Sequence, residues 1–166
     1  MEINTTYPGK SQKRDFILHV IQPGLAGLMD GSVSSLAPLF ATAFSTHNNH
    51  TTFLVGLAVA VGAGISMAFS EALSDDGKLT GRGNPITRGL VCGLMTFLGA
   101  AGHALPFLLP SYKAAMTLAI IVVFIELITI AWVRHRYMDT PLLKAIFQIV
   151  VGGAVVFIAG MLIGKS

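Results

Sequence analysis

Four ionisable residues stand inside long apolar stretches of this sequence: Asp30, Glu71, His103 and Glu126. A charged group at the centre of a bilayer costs about 2.5–3.5 kcal/mol on insertion scales, so such a residue is a functional candidate by default. Met67, Glu71 and Asp75 are spaced i, i+4, i+8, which puts a thioether and two carboxylates on one helical stripe. Asp76 adds a further carboxylate at its end. Carboxylate oxygens with a thioether suit a divalent first-row metal such as Fe(II) or Mn(II), and an acidic stripe draws cations from water. The pattern describes a path more than a fixed reaction centre, which would need a fuller ligand set, so no enzymatic activity is expected.

Each residue also has an ordinary reading. Asp30 could be hydrogen-bonded to a neighbouring helix, Met67 could serve packing or lipid contact, and Glu71 could lie at the membrane surface. Glu126 could be locked to His103 or to an arginine. Cys92 reads as a small inert apolar residue, and His47 and His50 as solvated loop residues.

The elements that must position these residues are membrane-spanning helices. The chain is 53% hydrophobic and 11% charged, with a mean hydropathy of +0.71. A soluble domain carries about 25% charged residues. Five apolar runs are long enough to cross a bilayer, which takes roughly 20 residues. They are 16–44, 52–73, 89–108, 114–133 and 142–163. Pro23 and Gly24 are expected to mark where a lead-in meets the first span. A rise of 1.5 Å per residue then puts Asp30, Met67 and Glu126 in one layer, about 4–7 Å to the inner side of the midplane, with His103 toward the outer side.

Lys10, Lys13, Arg14, Lys78, Arg82, Arg88, Arg134, Arg136 and Lys144 fall on one side of this arrangement, and only Lys113 and Lys165 on the other. The positive-inside rule therefore places the N-terminus in the cytoplasm and the C-terminus outside. All eleven basic residues are expected in loops or at helix ends. The same rule accounts for the net charge of +3, so no nucleic-acid partner is expected. The lone cysteine excludes an intrachain disulfide. The polar N-terminal segment, 1–15, lacks the apolar core of a cleavable signal peptide and is read as cytoplasmic, with the membrane domain covering 16–166. Gly160 and Gly164 stand in G-x-x-x-G spacing, suited to close helix packing either within the bundle or between copies.

Asp30-Gly31-Ser32-Val33-Ser34-Ser35-Leu36 resembles the first-helix signature of the vacuolar iron transporter family, and Gly64-Ile65-Ser66-Met67 followed by Glu71 resembles its second. Glu126 and Val151-Gly152-Gly153 also fit. The subgroup most similar is the membrane domain of the bacterial membrane-bound ferritins. Its pattern resembles Gln22 to Gly31, Glu71 to Gly77, Gly102-His103-Ala104-Leu105-Pro106-Phe107 and Arg136 to Pro141. The resemblance implies a homodimer of five-helix subunits in a bacterial inner membrane, with the first helices lining a path for Fe(II) or Mn(II) leaving the cytoplasm against protons. It maps the mid-membrane metal contact onto Asp30 and Met67. Two features of plant-type members are missing: the acidic, Met-rich insert after the second helix, and a carboxylate two turns before the second-helix Met, where Val59 stands here. The E-x-x-H ligands of ferritin-like domains are missing as well, so no ferroxidase activity is expected.

The sequence thus leads to an all-α integral membrane bundle of five transmembrane helices. Asp30, Met67 and Glu71 are expected at the metal, Asp75 and Asp76 on its approach, and Glu126 and His103 in proton coupling or behind the metal contacts. The expected partners are the lipid bilayer, divalent metal ions, protons and a second copy, with no permanently bound cofactor. The alternatives are a non-transporting membrane anchor or assembly module, and a carrier of another cation.

Overall fold

Helix boundaries in this chain follow from side chains that satisfy the first free amides of each helix. The computed structural model describes residues 8–78 and 80–166. Asn48 accepts from the Thr51 amide and opens α4 (Asn49–Ser74). Asn84 accepts from the amides of Ile86 and Thr87 and, with Pro85 in the first turn, opens α5 (Pro85–Gly102). Ser111 opens α6 (Tyr112–Met138), and α7 (Leu142–Lys165) follows Pro141. Such caps contribute about 1 kcal/mol each. Helix α6 ends at Asp139, in left-handed conformation with φ 50°.

The first apolar run is a series of segments: α1 (Pro8–Phe16), a π turn (Ile17–Ile21), α2 (Gln22–Ser34) and α3 (Leu36–Thr46). The first seven residues of the expected polar segment lie outside the described residues; from Pro8 the chain is helical and runs straight into the π turn. Proline explains both irregularities. Pro23 has no amide to offer the carbonyl four residues back, His19, and the wider π turn there absorbs the loss. Pro38 does the same to Ser34, and the helix breaks between α2 and α3 at Ser35, which keeps right-handed dihedrals of φ −80° and ψ −16°. The lead-in meets α2 beside Pro23 and Gly24, as expected, and the break at Ser35 comes in addition.

Four helices, α4 to α7, are each long and apolar enough to cross a membrane. No strand occurs among the described residues. Helix α5 lies between α2 and α4, while α7 packs along α3 and beside α6. Glycines set the closest approaches: a methyl on Gly160 would lie 2.7 Å from the Ala37 carbonyl oxygen, and one on Gly164 would lie 2.5 Å from that of Ala41. The G-x-x-x-G pair is therefore spent inside the bundle. The expected third span, 89–108, ends earlier, at Gly102. A 3-10 turn (Leu105–Leu108) around Pro106 leads from there toward α6.

The surface is apolar, and polar and charged groups stand among the buried residues. Leu73 and Leu143 are 81% and 83% exposed, whereas Arg88 and His103 are 0% exposed. In water that distribution would forfeit burial free energy of about 25 cal/mol for every Å² of apolar surface; against lipid tails it costs nothing. This is a multi-pass membrane protein.

Candidate functional site

Three separate places hold the ionisable groups. The first lies at the end of the bundle that carries the 75–84 loop. Glu71, near the C-terminus of α4, accepts from Arg82 Nη2 at 2.7 Å and from Arg88 Nε at 3.0 Å, both on its Oε1. Arg88 also donates to the Asp75 carbonyl at 2.9 Å, and its Nη1 lies 3.6 Å from the Asp75 carboxylate. Arg82 is the looser partner, with its side chain 25% exposed against 0% for Arg88. It stands between Gly81 and Gly83, both at positive φ, and Gly83 lies against the His19 ring, where a side chain would collide. Asp75 accepts from the Thr80 hydroxyl and the Gly77 amide. These hydrogen bonds, helped by Arg88 and Arg82, hold its carboxyl below the usual carboxylate range. Asp76 accepts from the Lys78 amide and is exposed.

Arg88 is the functional residue that sequence reasoning undervalued. It does lie at a helix end, as expected, but it is completely buried there. One signal was available: a cation in the first turn of a helix faces the positive end of the helix dipole and needs a local reason. The reason is Glu71.

The second place is the middle of the first helix. Asp30 on α2 is half-buried and faces a groove of about 850 Å³ between α2, α6 and α7. Ser34, Ile130, Arg134, Gln148 and Gly152 share its walls. Among the described residues the Asp30 carboxylate makes no ion pair and accepts no side-chain hydrogen bond. Met67 and Glu71 do not line this groove. Among the described residues no three His, Cys, Asp or Glu side chains converge where a metal ion would sit. One copy of the chain thus keeps Asp30 and Glu71 in different surroundings.

The third place joins three elements. His103, just past the end of α5, places Nδ1 3.1 Å from Glu126 Oε2 on α6 and Nε2 2.7 Å from the Ser35 hydroxyl at the α2–α3 break. Glu126 therefore shares a level with His103 and Ser35, not with Asp30 and Met67. The expected common layer rested on an α6 beginning at residue 114. The helix runs from Tyr112 to Met138, so Glu126 stands at its middle rather than toward its inner end. Ser35 is the other residue the sequence did not single out.

The fold and these sites define a class, the helical integral membrane proteins that keep carboxylates inside the bundle. A family model described as the VIT family matches residues 74–165, more than half of the chain. The chain belongs to that family, the vacuolar iron transporters, and membership points to transport of metal ions across a membrane. The matched region holds Asp75, Asp76, His103 and Glu126 and begins just after Glu71; Asp30 and Met67 precede it. No curated protein and no solved structure matches the chain.

Proposed function

We propose that the chain works as a homodimer that carries Fe(II) or Mn(II) out of the cytoplasm in exchange for protons, in a bacterial inner membrane. The observation that carries this reading is Asp30: a carboxylate at mid-helix, inside a wide groove that it shares with Arg134, with no cation within ion-pair distance among the described residues. A buried structural carboxylate needs a permanent partner. Glu71 has two arginines and Glu126 has an imidazole. Asp30 is compensated instead by whatever enters the groove, a proton or a metal cation. With α2 and α3 acting in series as the first span, the chain crosses five times, N-terminus inside and C-terminus outside. The 75–84 loop then faces the cytoplasm, with Asp75 and Asp76 at the mouth. A second copy supplies the donors that a single chain lacks: two Asp30 and two Met67 side chains facing each other suit a borderline divalent ion.

The test is metal uptake into liposomes containing the purified protein, comparing Fe(II), Mn(II), Co(II) and Zn(II), with and without a pH gradient. Uptake of Fe(II) or Mn(II) that collapses with the gradient supports the reading. No uptake of any metal by correctly inserted protein leaves the membrane-anchor alternative, and uptake indifferent to the gradient removes the proton exchange.

A further inference from the structure

The Ser35 hydroxyl lies within hydrogen-bond reach of two groups, the Gly31 carbonyl one turn back on α2 and Nε2 of His103. A hydroxyl has one hydrogen, and a carbonyl only accepts. That leaves two arrangements of the chain Gly31–Ser35–His103–Glu126. In the first, Ser35 donates to Gly31 and the Nε2 hydrogen of His103 points at Ser35. The contact between His103 Nδ1 and Glu126 Oε2 then holds one more proton, on the ring or on the carboxyl, and the pair is neutral as a whole. In the second, one proton has left. His103 keeps its hydrogen on Nδ1, directed at the Glu126 carboxylate, and its bare Nε2 takes the hydroxyl hydrogen of Ser35. The Gly31 carbonyl then loses its side-chain partner.

We propose that Ser35, His103 and Glu126 form a site for a single proton, whose occupancy sets the direction of the Ser35 hydroxyl at the break in the first helix. Burial supports the arrangement. Ser35 and His103 are 1% and 0% exposed, while the Glu126 side chain is 14% exposed, so Glu126 is the one member of the three that reaches the surface of the chain. Gly102, beside Glu126 Oε1, leaves no room there for a side chain. Of the elements packed around the pair, α6 presents Glu126 and the α2–α3 junction presents Ser35. Among the described residues no lysine, arginine or further carboxylate comes within ion-pair reach of either member. The charge of the pair is therefore set by its own proton. The residue that loses or regains its partner, Gly31, is bonded to Asp30, so proton release at Glu126 reaches the first helix beside the groove. This deepens the exchange reading above and rests on it for what the proton is exchanged against; the proton site itself does not depend on metal.

The test uses the full chain in lipid nanodiscs without metal, between pH 5 and 9. Histidine carries ¹⁵N, and the His103 signal is identified as the one lost in His103→Gln. A second sample carries ¹³C-carbonyl glycine and ¹⁵N serine, which isolates the Gly31–Ser32 peptide bond because the sequence has a single Gly-Ser step. The expected result is one titration step at His103, mirrored at the same midpoint by the Gly31 carbonyl. In Ser35→Ala, which removes the hydroxyl from both arrangements, the Gly31 carbonyl no longer follows the His103 step. The midpoint itself drops in Glu126→Gln, which removes the compensating charge. A His103 signal that does not move across the range overturns the proposal, as does a step that the Gly31 carbonyl ignores. The carbonyl measurement needs no variant and stands if Ser35→Ala fails to fold. Failure here leaves metal transport intact, whereas a chain that titrates but carries no metal breaks only the transport reading.

Discussion

Glu71 and Asp30 are both carboxylates on helices of the same bundle, yet their surroundings are opposite. Glu71 is gripped by two guanidinium groups, one of them wholly buried. Asp30 has an open groove in front of it. Permanent compensation makes a carboxylate part of the scaffold, because a guanidinium stays charged at any working pH. A carboxylate without that compensation must take its counter-charge from a mobile ion. On the proposed function, the difference separates the part of the molecule that holds shape from the part that exchanges cargo. It also places a requirement on any role for Glu71 in metal binding: of its two partners on Oε1, Arg82, partly exposed and flanked by glycines, is the one that can give way, while Arg88 is fixed.

The strongest way to break the comparison is Arg88→Ala. It leaves Glu71 without its buried partner, and removing one half of such a pair costs about 3–5 kcal/mol. We expect the unfolding midpoint of the purified protein to fall sharply, and Arg88→Met combined with Glu71→Leu to recover most of the loss. An unchanged midpoint in Arg88→Ala would mean that the cluster is not scaffold. Asp30→Asn should do the reverse. We expect it to fold and melt like the parent while metal uptake per inserted protein drops about tenfold or more, as losing one charge-assisted contact of ~1.5 kcal/mol would dictate. Uptake at the parent rate would put Asp30 with the scaffold.

How much of this could be read beforehand depended on the kind of signal. Apolar runs carry helix existence, so α4, α6 and α7 were legible to within a few residues. Helix ends depend on single caps, and Asn84 with Pro85 moved the start of α5 early enough to take Arg88 into its first turn. The break at Ser35 follows from Pro38, but three residues separate cause and effect, and Pro23 competed for the same reading. The candidate carboxylates were legible because charge in an apolar run is conspicuous. Their partners were not, because Arg82 and Arg88 come from a loop and a helix start whose fold back onto α4 is set by tertiary packing. The pairing of His103 with Glu126 had been weighed as one possibility; the hydroxyl of Ser35 between them and α2 had not.

Smaller effects sharpen the comparison. Arg82→Gln removes the looser, partly exposed partner of Glu71. We expect a stability loss of only about 0.5–1 kcal/mol, with half-maximal metal uptake reached at lower metal concentration if Arg82 competes for Glu71. The smallest effect concerns Asp75. Its carboxyl is held below its ordinary value of 3.8 by the Thr80 hydroxyl first, then by the Gly77 amide and the arginines. Such a group stabilises the fold above its unfolded pKa, and the contribution disappears as pH falls through the lower, folded value. Thr80→Val should therefore be less stable than the parent at neutral pH, and the two stability curves should converge in acid. A constant gap at all pH values would mean that Thr80 acts by packing alone.

The contact of Gly160 and Gly164 with Ala37 and Ala41 has a consequence for biogenesis. Helix α7 docks on α3, so this interface can close only after α4, α5 and α6, which lie between them in the chain, have been made. Until then α3 lies beside α4 with its small residues uncovered, and the groove in front of Asp30 lacks the wall that α7 supplies. The groove in front of Asp30 is thus complete only once α7 is in place, after the elements that pair Glu71 with Arg88 have been made.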